Sequence, residues 1–265
     1  MDHLFLVKLA LSFVVGSVWI TLATVLAEKL GTKLGGVLSG LPSTIVVTLF
    51  FIGWTQSPSV VVACTTPIPM VQGIQALFVA TYLFLCRRSF VLSVAASLVV
   101  WFTAALALVL LKFEYFGVGA VSWIVLLAMS FYAVERKLAI PSVGRRNVDR
   151  SVAQLLFRAL LSGSLIALAV VLAKLGGPLL GGVFAVFPAG FLSTIMITYL
   201  AHGSMFSAAV VKVMMVSGII NPTVYAISVR YAYPAFGILW GSLLSFGASL
   251  VSVCFVYWFV RKKVA

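Results

Sequence analysis

Leu26–Pro42 reads LAEKLGTKLGGVLSGLP, and Leu172–Pro188 reads LAKLGGPLLGGVFAVFP. At a constant spacing of 146 residues, eight of these seventeen positions are identical: Leu26, Ala27, Gly31, Leu34, Gly35, Gly36, Val37 and Pro42. Just past each proline, Ser43–Thr48 (STIVVT) recurs as Ser193–Thr198 (STIMIT), with Ala189–Leu192 as four extra residues in the second copy. Two matched blocks in the same order point to a chain assembled from two copies of one unit.

Composition sets the class of that unit. The chain of 265 residues is 63% hydrophobic and 9% charged, with a mean hydropathy of +1.22. A soluble domain of this size could not solvate such a surface, so the reading is an all-α polytopic membrane protein. Eighteen basic residues against five acidic ones give +13. In a soluble protein that excess would suggest nucleic acid, but here most basic residues fall between apolar spans. They are assigned to topology and anionic headgroups, with no nucleic-acid partner. Cys64, Cys86 and Cys254 are too scattered for a disulfide framework or a metal site. The apolar stretch from Leu4 to Ala27 is too long for a signal-peptide core, so it is expected to stay as a span.

Segments able to cross a bilayer at about 20 residues each fall at 4–27, 35–55, 67–86, 90–111, 116–134, 152–173, 180–201, 205–229 and 235–260. The first four correspond in order to the last four. The odd span between them turns the second copy over. The expected architecture is therefore about nine transmembrane helices as two inverted four-helix repeats (1–112 and 151–265). A linker helix and basic cytoplasmic loop (113–150) join them. With the N-terminus outside and the C-terminus cytoplasmic, fourteen basic residues lie inside: Lys29, Lys33, Arg87, Arg88, Arg136, Lys137, Arg145, Arg146, Arg150, Arg158, Lys212, Arg261, Lys262 and Lys263. Lys8, Lys112, Lys174 and Arg230 stay outside. That asymmetry fits a multi-pass protein of the cytoplasmic (inner) membrane.

The repeated motif carries the functional expectation. Gly35 and Gly36 ahead of Pro42, and Gly181 and Gly182 ahead of Pro188, combine close backbone approach with a missing N–H donor, which favours a close-packed hinge. A break of this kind is tolerated in lipid only against protein or a wet cavity. In repeat transporters such breaks supply half-helix N-termini to the substrate near the midplane. Thr44 and Thr48, like Thr194 and Thr198, lie four apart on one helical face, with Ser43 and Ser193 beside them. Gln72 and Gln75 follow in the first copy and Asn221 in the second, and amides in hydrocarbon need partners. Helix–helix packing and hydrogen bonding are the alternative use for all of these residues.

No acidic residue is placed deep in a span. Lys212 and Arg158 sit about two turns inside theirs, where snorkelling to the cytoplasmic interface is the default and attracting an anion into a cavity the alternative. No nucleophile–base set, metal-ligand spacing or phosphate loop appears, so neither catalysis nor a cofactor is expected.

From Gly35 to Leu111 the first half resembles the GlpM-like family of small four-helix membrane proteins. The resemblance is carried by GGVLSGLPST, the apolar VVTLFFIGW, TTPIPMVQGIQALFVATYLFL, the Arg87–Arg88 break and the alanine-rich span with Trp101. It implies a four-helix unit that pairs in short relatives and is fused here through a linker helix. It assigns no functional residue.

The expectation is thus a small secondary transporter or flippase for an anionic or neutral polar solute or lipid headgroup. Its partners would be the bilayer and that substrate, and a homodimer is compatible with the sequence. Pro42, Ser43, Thr44, Thr48, Pro188, Ser193, Thr194 and Thr198 would line the pathway, with Gln72, Gln75, Asn221 and Lys212 contacting the substrate. The rival is a non-transporting scaffold or accessory subunit of an envelope or export complex, in which the same motif only packs helices.

Overall fold

The computed structural model describes residues 3–29, 41–138, 140 and 151–263, all helices and short connections with no strand among them. The helices are α1 (His3–Lys29), α2 (Ser43–Thr55), α3 (Pro58–Cys64), α4 (Ile68–Leu85), α5 (Phe90–Leu110), α6 (Phe116–Leu138), α7 (Val152–Leu175), α8 (Pro178–Ala185) and α9 (Ala189–Lys263). Among the described residues, six stretches are long and apolar enough to cross a bilayer, the last being the run Pro178–Trp258, and α2 is a shorter apolar helix. This is compatible with a multi-pass membrane protein. Gly35, Gly36, Lys33, Arg145, Arg146 and Arg150 fall outside the described residues.

Local chemistry sets most of the boundaries. Ser57 accepts from the Val60 N–H and Pro58 occupies the first turn of α3, so the interval between the expected second and third spans is partly helical. Ser151 and Gln154 form a reciprocal capping box at the start of α7. Within α9, Gly203 (φ 79°) and Gly237 (φ 72°) adopt the left-handed conformation that only glycine takes without strain, dividing the element into limbs 189–202, 204–236 and 238–263. The second limb carries Arg230 inside a helix rather than in the connection expected for it.

The two repeated prolines sit in matching turns. Before α2, the Ser43 N–H donates to Leu41 O (2.7 Å) and the Val46 N–H to Pro42 O (3.1 Å). Before α9, the Ala189 N–H donates to Phe187 O (2.7 Å) and the Leu192 N–H to Pro188 O (2.9 Å). Each proline therefore closes the first turn of a helix with its carbonyl, while its own nitrogen asks for no acceptor.

Helices α1 and α7 run antiparallel along their length. The Lys174 ammonium lies over the Phe5 ring at 3.9 Å. Further along, a Cβ on Gly163 would meet Phe13 O and Ser17 Oγ, and Ser17 Oγ donates to Ala159 O at 3.0 Å. Glycine and serine at this crossing let the backbones approach as small residues do in membrane helix pairs. Helix α4 and the second limb of α9 form the centre, with Phe78, Tyr82, Tyr225 and Tyr233 fully buried. The exposed large apolar side chains lie on α1 (Leu4, Leu22), α5 (Val91, Leu110), α6 (Val121, Ile124) and the third limb of α9 (Leu239, Phe255), the surface a bilayer would cover.

Polar contacts gather at two opposite ends of the bundle. At one end Lys8 donates to Trp54 O (2.8 Å), and Arg230 forks onto Val62 O, Thr65 Oγ1 and Thr66 Oγ1 (3.0–3.2 Å) while stacking over Phe116. At the other, Lys212 pairs with Glu135 (2.8 Å) and donates to Ile140 O (3.3 Å). Nearby, Arg87 reaches Leu138 O.

Candidate functional site

Between the two proline breaks lies a cavity of ≈ 70 Å³. That is well above the ~10–15 Å³ a cavity needs to hold one water. Its wall is drawn from both halves of the chain around the two breaks. Leu41 and Phe187, 146 residues apart just before the prolines, both line it; past the prolines Thr44 and Ile45 line it from α2, and Gly190 and Phe191, two of the four inserted residues, line it from α9. Gln72 and Pro222 are 150 apart, the same spacing plus the four inserted residues, and both line it too.

The two halves contribute unlike chemistry: Thr44 lines the space while its repeat counterpart Thr194 does not, and Gln72 is matched by Pro222. Hydrogen-bonding groups thus come mainly from the first half: Ser43 and Thr44 in the first turn of α2, Gln72 and Gln75 three apart on α4. The second half supplies Arg158 and Ser162, four apart on α7, and no acidic residue is among the described lining. Gln72 and Gln75 are 1% and 5% exposed, and neither amide oxygen has a hydrogen-bond partner among the described residues. Leaving such an acceptor unmet costs about 1–3 kcal/mol.

The remaining expected residues lie elsewhere. Thr48 is buried and returns its hydroxyl to Thr44 O at 2.9 Å. Ser193 does the same to Gly190 O (3.2 Å), and Thr198 bonds Thr194 O and Ser207 Oγ (2.6 and 2.9 Å). Ser207 also accepts from the Tyr82 hydroxyl (2.8 Å), so Thr198 belongs to a knot joining α4 to two limbs of α9. Asn221 accepts from Ser252 and Ser249 on the third limb. Thr194 is buried, and its hydroxyl has no partner among the described residues. The four inserted residues explain this separation. They leave Gly190 and Phe191 in the first turn after Pro188 and carry Ser193 and Thr194 one turn deeper.

Lys212, expected to draw an anion, is committed to Glu135 and lies outside the lining; Arg158 is the cation at the cavity. Ser162 was not singled out from the sequence, although a serine one turn after an arginine on an apolar helix is a legible signal.

The wall is braced from behind. A Cβ on Gly182 would collide with the Cys64 carbonyl, and one on Gly181 with Ala173, so α8 lies directly against α3 and α7. Trp101 of α5 packs edge-on against Phe187 (5.0 Å) and Phe184 (6.1 Å), fixing the break from the lipid-facing side.

Comparison with known proteins adds one finding. A family model described as "Protein of unknown function (DUF3147)" matches residues 9–114, which run from α1 to just before α6. No curated protein and no solved structure matches the chain. The GlpM-like assignment is not supported: its glycine–proline block and hydropathy pattern follow from a broken membrane helix, which different families can share. Over residues 9–114 the chain is similar to the DUF3147 family.

Proposed function

We propose that this chain is a small secondary transporter of the cytoplasmic membrane, with nine crossings arranged as two inverted four-helix repeats. The N-terminus is outside and the solute pathway runs through the cavity between the broken helices. The observation that carries the reading is the lining itself. Residues flanking both proline breaks converge on one polar, cation-bearing space in an otherwise apolar protein. An ionisable residue at such a place marks a solute path more often than a packing contact, and broken helices at a repeat interface are where transporters bind. The antiparallel α1–α7 pair supports inversion, because these helices are equivalent at the 146-residue spacing.

Single cysteines test it in a background lacking Cys64, Cys86 and Cys254. Thr32→Cys and Pro178→Cys should label with an impermeant thiol reagent from opposite faces of the membrane. Thr44→Cys should become reactive from each face in turn as the pathway alternates. Thr194→Cys, away from the cavity, should stay protected. Labelling of Thr32 and Pro178 from one face would end the inverted-repeat reading. A Thr44 position closed to both faces would end the transport reading.

A further inference from the structure

Gln72 and Gln75 line the cavity from one face of α4, three residues apart, so their roots stand about 5–6 Å from each other. Both are more than nine-tenths buried, and neither amide oxygen has a hydrogen-bond partner among the described residues. An acceptor left unmet at a cavity wall is met by what enters the cavity, water or solute. Each amide offers an oxygen that accepts and an NH2 group that donates. Ser43, Thr44 and Ser162 add hydroxyls able to do either.

These groups discriminate among solutes. An ionised carboxylate only accepts, and would set oxygen against the two amide oxygens. An ammonium donates, but no carboxylate is among the described lining residues to offset a charge taken out of water. A hydroxyl both donates and accepts, which suits every polar group just named. Phe187, Phe191 and Met214 give the same space an apolar side, suited to the C–H face of a carbon chain. Arg158 also lines the cavity and has an interaction of its own, and an uncharged solute leaves its charge balance as it is.

We infer that the cavity binds a small uncharged polyol. Neighbouring hydroxyls of one carbon chain donate to the Gln72 and Gln75 amide oxygens, and the chain rests on the apolar side. This rests on the cavity being the solute pathway, and it names the class of solute that pathway takes.

The test is equilibrium binding to the full chain in lipid nanodiscs, with erythritol as the probe. Butane-1,4-diol, which keeps the chain and its ends but lacks the two inner hydroxyls, is the first control. Erythronate, the same chain ending in a carboxylate, is the second. Erythritol should bind about tenfold more tightly than butane-1,4-diol, the ratio expected when buried hydrogen bonds are made or lost. Erythronate should bind more weakly than erythritol. Gln72→Leu with Gln75→Leu should bring erythritol down to the butane-1,4-diol level, with an unchanged or higher melting temperature showing that the variant is folded. Thr194→Val, outside the lining, should leave erythritol binding within about twofold.

Three outcomes overturn the inference: no saturable erythritol binding, equal affinity for erythritol and butane-1,4-diol, or tighter binding of erythronate. A preference for erythritol that survives loss of both glutamines overturns it as well. Flux into vesicles separates it from the transport reading. Erythritol binding without flux upholds the solute class and removes transport. Flux of another solute, unaffected by the glutamine substitutions, upholds transport and removes the class.

Discussion

Ser17 on α1 donates to the carbonyl of Ala159 on α7 at 3.0 Å, and their counterparts 146 residues away, Gly163 and Phe13, meet in the reciprocal contact. A patch that contacts its own copy in this way is what a two-fold interface looks like, here within one chain. The central α1–α7 pair is thus held by close approach at one serine and one glycine. Gly163→Ala places a methyl against Ser17 Oγ, which can rotate away, and against Phe13 O, which cannot. The expected loss is about 1–3 kcal/mol, read as a lower melting temperature in detergent. Ser17→Ala should cost only about 0.6 kcal/mol. A Gly163→Ala protein that melts with the wild type would show that the crossing is not tightly packed.

Gly182 and Gly117 make a matched pair for testing the wall of the cavity. A Cβ at Gly182 runs into the backbone of Cys64 and stands 2.8 Å from Pro67, whereas at Gly117 nothing lies within 4 Å. Gly182→Ala should sharply reduce the yield of monodisperse protein. Gly117→Ala, in the first turn of α6, should be neutral or add up to about 1 kcal/mol. Comparable behaviour of the two by size-exclusion chromatography would argue against α8 resting on α3.

The Lys212–Glu135 pair should respond unequally to loss of either partner. Lys212 is 7% exposed, while Glu135 is about a third exposed in its side chain. Glu135→Gln strands a buried ammonium with Ile140 O as an acceptor at 3.3 Å, and should cost about 2–4 kcal/mol. Lys212→Met leaves a carboxylate that can turn to solvent, and should cost about 1 kcal/mol. Thermal unfolding of both variants and of the double substitution checks the order. Equal losses would mean that the pair is solvated.

Gln75→Leu should raise the stability of the empty protein by about 1 kcal/mol, because it removes a buried acceptor with no partner. Stability gained on removing a buried polar group is the behaviour of a residue held at a cost to the fold. A substitution that lowers stability would make Gln75 a packing residue.

Part of this organisation is legible in the linear sequence. The proline breaks, the glycine pairs and the hydroxyls next to them are local features, and local chemistry places Ser43 and Thr44 in the first turn of α2. Gln72 and Gln75 can be read as three apart on one face. Lys212 cannot be separated from Arg158 in the same way, because each is a cation two turns inside an apolar helix. Their places in the packing separate them: Lys212 meets Glu135, and Arg158 lines the cavity. Nor can Thr198 be told from Thr48 until Ser207 and Tyr82 arrive beside it.

The sequence by itself determined the class of the molecule and the recurrence of its glycine–proline motif. A hydropathy this high leaves only helices packed in an apolar environment, and a fixed spacing of 146 residues survives any folding of the chain. Tertiary structure decided which copy of each repeated group meets the cavity. That choice depends on a four-residue insertion that shifts one hydroxyl pair by a turn, and on partners more than seventy residues away that hold Lys212 outside the lining while Arg158 is part of it. Repetition in a sequence makes two positions equivalent; packing against different neighbours makes them different.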